Sequence, residues 1–415
     1  MDGRLRIVVT GLIAQHPALG GVAWDYVQYL LGFARMGHDV YYVEDSGQWP
    51  YRRAGSGDDP NGWIAEDSSE NTRHLETVLS QFGLGDRWAY RFPIDGEWFG
   101  LPDRARREVL ATADLVVDVS GCLERPDEYR GGGPLVYIDS DPVFTQVRLA
   151  AGADDLGLPP EEAVEEEKFA GRVAAHDVHF SFGEARSSLV PETPYRWRPT
   201  RQPIALDEWE PADAHRGVFT TVMNWTSYRP LRFGGRVYGQ KDVELRRFLA
   251  LPGRVRPGAL EVALNDVHHA AWEHDPGGAE AASPAEVLTG AGWRVADATA
   301  VAPDLNRYRD YIRASAGEWG IAKNGYVVGQ PGWFSCRSAC YLAAGRPVVV
   351  QDTGFGSVLP TGEGIVSFRT LDEAADGIGE VEGRYEVHAK AAREIATEHF
   401  DARRVLGRLV EEAMS

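Results

Sequence analysis

The sequence predicts an α/β protein made of two doubly wound, Rossmann-like domains, and three observations carry that reading. Apolar runs of strand length alternate with stretches of helical period from the start of the chain. A proline-rich break follows, with Pro191, Pro194, Pro199, Pro203 and Pro211 set around Trp197 and Trp209. The alternation then begins again. At 415 residues the chain exceeds one ordinary domain, and the prior of two domains agrees with the break.

The first domain opens with a strand predicted over Arg6–Ile13, then Gly20-Gly21 and a helix over Val22–Arg35. Gly37 stands where a helix-terminating glycine belongs, and the run Val40–Val43 follows as a second strand. A strand–helix–strand crossover of this kind makes the two strands parallel. Helices are predicted over Asn71–Gly83 and Asp103–Ala111, and strands at Leu115–Asp118, Leu135–Ile138 and Val178–Ser181. The acidic stretch Glu161–Glu167 reads as a solvated helix face. The segment from Pro191 to Pro211 reads as an interdomain linker.

Beyond it, strands are predicted at Val218–Val222, Leu260–Leu264, Trp293–Val295, Val348–Gln351 and Ile365–Phe368. Helices are predicted at Asp242–Leu249, Pro284–Thr289, Leu305–Ala316, Ser338–Ala344, Leu371–Ile378 and Val387–Met414. The domains divide as 1–205, 206–385, and a C-terminal helix in 386–415.

The chain is 43% hydrophobic and 25% charged, with a formal net charge of −19. That field repels phosphate backbones and anionic lipid, which argues against nucleic acid or membrane as the main partner. No apolar run reaches the ~20 residues that span a bilayer, and the N-terminus lacks the pattern of a signal peptide. Cys122, Cys336 and Cys340 form no disulfide framework and suit a cytoplasmic protein. His268, His269 and His274 with Asp266 and Asp275 are the densest histidine group, but their spacing does not set three imidazoles on one helix face. A polar loop is the better reading, and no metal or cofactor is called for. The dinucleotide motif Gly-x-Gly-x-x-Gly is missing near the N-terminus.

Several stretches resemble the GT-B glycosyltransferases, in particular the "glycosyl transferases group 1" type. In the first half these are Gly20-Gly21-Val22 and Gly37-His38-Asp39-Val40. In the second half, Gly332 through Arg337-Ser338 to Gly345-Arg346-Pro347 is similar to the donor segment. Asp352-Thr353-Gly354-Phe355-Gly356 and Thr361-Gly362-Glu363-Gly364 are similar to the loops that close the sugar-nucleotide pocket, and Tyr238–Lys241 to a segment that reaches donor phosphates. One departure stands out. The type often carries two glutamates separated by seven residues, and Gly332 and Cys340 occupy those places here. The resemblance implies two domains facing a central cleft, with acceptor bound by the first and donor by the second.

Physical reasoning points to the same segments. Free N–H groups at a helix start, a glycine turn and a fixed guanidinium suit a diphosphate. With the resemblance, this makes Lys241, Lys323, Ser335, Arg337 and Ser338 donor-binding candidates. The resemblance alone implies Thr353, Gly354 and Glu363 for the donor and Gly20 and Gly21 for the acceptor, where Trp24 is a candidate as well. His16, in the loop leaving the first strand, is the candidate base, and Asp139 the reserve. Asp141, before Pro142, reads as a helix N-cap. The expected activity is metal-independent glycosyl transfer from an NDP-sugar to a small acceptor, in a protein that could form a homodimer. The alternatives are a sugar-nucleotide epimerase or glycosyl phosphorylase on the same fold, or a non-catalytic sugar-nucleotide sensor.

Overall fold

The computed structural model describes residues 3–53, 64–151, 160–265 and 282–415. The histidine group at 268–274 lies outside the described residues.

The first domain holds strands β1 (Arg6–Thr10), β2 (Asp39–Glu44), β3 (Trp88–Arg91), β4 (Trp98–Gly100), β5 (Leu115–Val119), β6 (Leu135–Asp139), β7 (Val178–Ser181) and β8 (Trp197–Pro199). Its helices are α1 (Gly20–Arg35), α2 (Ser69–Ser80), α3 (Asp103–Ala111), α4 (Phe144–Ala150) and α5 (Pro160–Ala174). The strands form one sheet in the order β4-β3-β2-β1-β5-β6-β7-β8, parallel throughout except for the β3–β4 pair. Every residue of β5 and β6 is buried, as the apolar runs require of strands covered on both faces.

The second domain repeats the plan. Its strands β9 (Phe219–Asn224), β12 (Leu260–Asn265), β13 (Arg294–Asp297), β14 (Gly317–Gly320), β15 (Val348–Gln351) and β16 (Ile365–Phe368) form a wholly parallel sheet ordered β13-β12-β9-β14-β15-β16. A small hairpin, β10 (Leu231–Phe233) and β11 (Arg236–Tyr238), stands apart from it. The helices are α6 (Lys241–Arg246), α7 (Pro284–Gly290), α8 (Ala298–Val301), α9 (Leu305–Arg313), α10 (Asn324–Gly329), α11 (Cys336–Ala343), α12 (Leu371–Gly383), α13 (Tyr385–Ile395) and α14 (Ala402–Ala413). Both sheets reverse strand order beside their first strand, at β1/β5 and β9/β14, and ligands of such sheets bind outside the carboxyl ends there.

Four expectations are corrected. The first strand stops at Thr10, because the backbone N–H groups beyond it turn to side chains at the end of β2. Ile13 N donates to the Tyr42 hydroxyl at 3.0 Å, and Ala14 N and Gln15 N each donate to Glu44 at 2.8 Å. The proline-rich segment contributes the edge strand β8, where Pro199 leaves no inner ladder unpaired. The helix expected over Leu305–Ala316 ends at Arg313, and the strand β14 that follows has little strand propensity of its own. It forms because it lies between β9 and β15, with Trp319 buried and stacked 5.9 Å from Phe368.

The long C-terminal helix is broken. A π turn, Ala396–Phe400, follows α13, and extended Asp401 then caps α14 through Arg403 N. At the break the chain pairs with the linker: Ile204 N donates to Phe400 O at 2.7 Å and Ala402 N to Ile204 O at 2.9 Å. From there α14 lies along α1, where a side chain on Gly32 would meet Leu406 and Ala402. One hydrophobic core therefore runs from β1 through α1 to α11 and α14.

No helix among the described residues is long and apolar enough to cross a membrane. Leu406 is fully buried at the α1–α14 contact. Leu406→Ala is expected to cost about 2–5 kcal/mol, read as a lower urea midpoint with an unchanged slope.

Candidate active-site cleft

The carboxyl ends of the two sheets face each other across a cavity of about 370 Å³. The first domain lines it with Gly20, Gly21 and Asp25 of α1, Ser120 after β5, and Ser140-Asp141 after β6. The second domain contributes the end of β9, Lys241, Lys323 and the turn from Trp333 to Arg337. Gly20 is required by close approach: a Cβ there would lie 2.1 Å from the Asp304 carbonyl oxygen. Among the described residues, Ser120, Val143 and Gln330 are the non-glycine residues with positive φ, at 67°, 73° and 49°. Ser120 lines the cleft, Val143 follows Asp141-Pro142, and Gln330 ends α10 just before the Gly332 turn.

Arg337, in the first turn of α11, is held from behind. Its Nε donates to Glu318 Oε1 at 2.6 Å and its Nη1 to the Val222 carbonyl at 2.7 Å. Glu318, on β14, is fully buried and its other oxygen has no hydrogen-bond partner. The guanidinium is thus fixed in direction and lines the cavity. Lys241 lines it as well, and no carboxylate among the described residues pairs with it. Burial pushes its ammonium well below the ordinary lysine range, with Arg337 and then Lys323 adding repulsion.

Lys323 is paired across the cleft. Its Nζ lies 3.1 Å from both oxygens of Asp141 and 2.8 Å from the Tyr228 hydroxyl. The Tyr228 and Tyr326 hydroxyls also donate to Asp141. The Lys323 ammonium rests over the rings of Phe144, Tyr228 and Tyr326 at 5.3, 4.4 and 5.6 Å. The capping role read for Asp141 is therefore corrected. Val143 holds the N-cap position of α4, and the Asp141 carboxylate reaches the second domain instead. Asp139 stands behind it, 1% exposed, accepting from Thr145, Gln146 and Ser181 at 2.8 Å each and from Asp141 N at 3.1 Å. Burial raises its carboxyl to about 6 against those hydrogen bonds.

Of the residues singled out in the sequence, Gly20, Gly21, Lys241, Lys323, Ser335 and Arg337 meet in this cleft. The others lie elsewhere. His16 stacks on Tyr51 at 5.0 Å and is not among the lining residues. Trp24 is 1% exposed and donates to the Leu305 carbonyl at 2.9 Å, as part of the core between the domains. Ser338 and Thr353 border an adjoining space of about 20 Å³ that shares Trp333, Ser335 and Arg337 with the cleft. Gly354 N donates to Asp352 Oδ1 at 2.9 Å in the neighbouring turn. Glu363 pairs with Arg384 at 2.6 Å, on the surface.

Asp25 escaped the sequence reading. It sits within the first helix among apolar neighbours, and no ion pair holds it among the described residues. Burial raises its carboxyl to about 7, against the pull of Arg337 and a hydrogen bond with Cys336. A helical-period pattern did place it one turn beyond the glycine pair, which was the available signal.

No known family model matches the sequence, and no curated protein does. Solved structures match along the whole chain. An alpha-glucosyltransferase in complex with UDP and a 13-mer DNA aligns at 12% identity and a TM-score of 0.55, covering 99% of this chain and 100% of that one. The Anabaena protein Alr3699/HepE, in complex with UDP and glucose, aligns at 11% identity and 0.54, covering 99% of each chain. Sucrose-phosphate synthase from Thermosynechococcus elongatus aligns at 13% identity and 0.50, again covering 99% of each. At this identity the likeness is one of architecture, and it agrees with two parallel sheets joined across a cleft at matching switch points. The protein has the GT-B glycosyltransferase fold.

Proposed function

We propose that the protein transfers a glycosyl group from a nucleoside diphosphate sugar to a small hydroxyl-bearing acceptor, the donor resting on the second domain and the acceptor on the first. The observation that supports this most is the pair of cations, Lys241 and Arg337, directed into the cleft at the β9/β14 switch point. Among the described residues Lys241 has no anionic partner there, and a diphosphate would supply the missing charge. The UDP complexes of structurally similar proteins favour the same ligand class.

The chemistry follows from charge. As the bond from the sugar to the diphosphate breaks, negative charge grows on the leaving oxygen, and fixed cations stabilise it more than they stabilise the bound donor. We read the transfer as metal-independent because side-chain cations already face that position. Chelation with EDTA is then expected to leave turnover unchanged.

Removing Arg337 alone would strand the buried Glu318 carboxylate, so the informative variant carries Glu318→Gln with Arg337→Ala. Relative to Glu318→Gln alone, kcat/KM is expected to fall by on the order of 10²-fold. Calorimetry should show UDP weakened more than uridine; equal weakening of the two ligands would place the diphosphate elsewhere.

Lys241 supplies an independent check. Its pKa is depressed in the free protein, and a bound diphosphate should raise it. UDP binding should therefore take up protons, and affinity should fall as pH rises through the Lys241 pKa. In Lys241→Met that pH dependence should vanish, as measured by calorimetry in buffers of different ionisation enthalpy.

A further inference from the structure

A hydroxyl that attacks the anomeric carbon must lose its proton, and the group that takes it has to reach the cleft. Among the described residues that line the cavity, Asp25 and Asp141 carry carboxylates, and no histidine does. Asp141 already holds Lys323 on both oxygens, together with the Tyr228 and Tyr326 hydroxyls. Asp25 has no ion pair within 4 Å among the described residues. It projects from α1 of the first domain toward the start of α11, where Cys336 hydrogen-bonds it and Arg337 follows, and all three line the cavity.

We propose that Asp25 is the proton acceptor of the transfer, and that the reaction inverts the configuration of the anomeric carbon. The inference rests on the glycosyl-transfer reading given above. The acceptor oxygen forms the new bond to the anomeric carbon from one face. The bond from that carbon to the diphosphate oxygen breaks on the opposite face, and its electron pair leaves with the diphosphate. The acceptor proton passes to an Asp25 oxygen and from there to solvent. No further reactant is needed.

The surroundings suit the task. Cys336, Arg337 and Cys340 face Asp25 from α11, Tyr308 from α9, and Tyr26 and Tyr29 from α1 itself. Burial pushes these thiols and phenols well above their ordinary ranges, so at neutral pH they are uncharged neighbours. Among the described residues the charged group that acts on Asp25 is Arg337, which draws the carboxyl down against burial and leaves it near 7. A bound diphosphate would offset Arg337 and make Asp25 more basic when the donor is in place. Basicity would then rise with donor occupancy, when a base is needed.

Two measurements on the full chain test this. The first needs no substrate. An aspartate whose folded pKa is raised loses native stability as pH climbs from its unfolded value, about 4, to its folded value, near 7. Asp25→Asn removes the charged form, so it should melt with wild type near pH 4 and above it from pH 7 upward. Coincident melting curves across this range would overturn the proposal.

The second measurement uses UDP-glucose with water and with a panel of small alcohols and phenols. Wild-type kcat should rise with pH to a plateau, and the product should carry the inverted anomeric configuration by NMR. Asp25→Asn should lower kcat by on the order of 10²-fold or more and lose that pH limb, while UDP affinity stays within about threefold. Asp25→Glu should recover part of the limb. A variant that turns over like wild type, or a retained configuration, overturns the role of Asp25 and leaves glycosyl transfer standing. A wild type that binds no UDP and consumes no UDP-glucose overturns both.

Discussion

The cleft depends on how closely α1 approaches the second domain. Gly20 N donates to the Ala302 carbonyl at 3.2 Å, and there is no room for a Cβ against Asp304. One turn on, Trp24 is buried against Trp209, with ring centroids 5.0 Å apart, and donates to Leu305 O. At its other end, Arg35 pairs with Glu208 at 2.6 Å, and Glu208 also holds Arg309 of α9 at 3.1 Å. Gly32 lets α14 lie along the helix between these ends. The helix is therefore fixed along its length by groups from the linker, the second domain and the C-terminus. Its fixed position sets Asp25 opposite Arg337.

Charge inside the cleft runs against the charge of the whole. A protein with a formal net charge of −19 turns Lys241 and Arg337 toward one cavity and offsets them unequally. Arg337 is compensated by a carboxylate that solvent does not reach, and Lys323 by Asp141 from the opposite domain. Lys241 has no such partner among the described residues. A buried pair such as Glu318–Arg337 adds little net stability but fixes direction. Directed donors with no reorganisation left to perform are what a developing diphosphate charge requires. The Asp141–Lys323 contact adds a polar tie between the domains at the mouth of the same site.

Much of the architecture was legible in the sequence because parallel strands buried on both faces are written as plain apolar runs. Val178–Ser181, Val348–Gln351 and Ile365–Phe368 were delimited to the residue. Among the strands missed, β14, β8 and β4 lack that signature. β14 is Gly-Glu-Trp-Gly, β8 contains a proline, and β4 is three residues pairing antiparallel with β3. Each is a strand because of what it pairs with. The uninterrupted C-terminal helix failed for the same reason: its break is made by backbone hydrogen bonds to Ile204, almost two hundred residues earlier.

The sequence by itself determined the two alternating domains, the parallel sheets, and the glycine turns and cations that mark their carboxyl ends, since these follow from local period and residue type. Only the tertiary structure decided which of those residues share a cavity. It turned Asp139 inward and Asp141 outward, set Trp24 in the core and Glu363 on the surface, and drew Asp25 into the cleft. The physical reason is that a side chain's charge state and direction depend on neighbours distant in sequence. Asp25 and Arg337 stand more than three hundred residues apart, and no local pattern in either segment encodes the other.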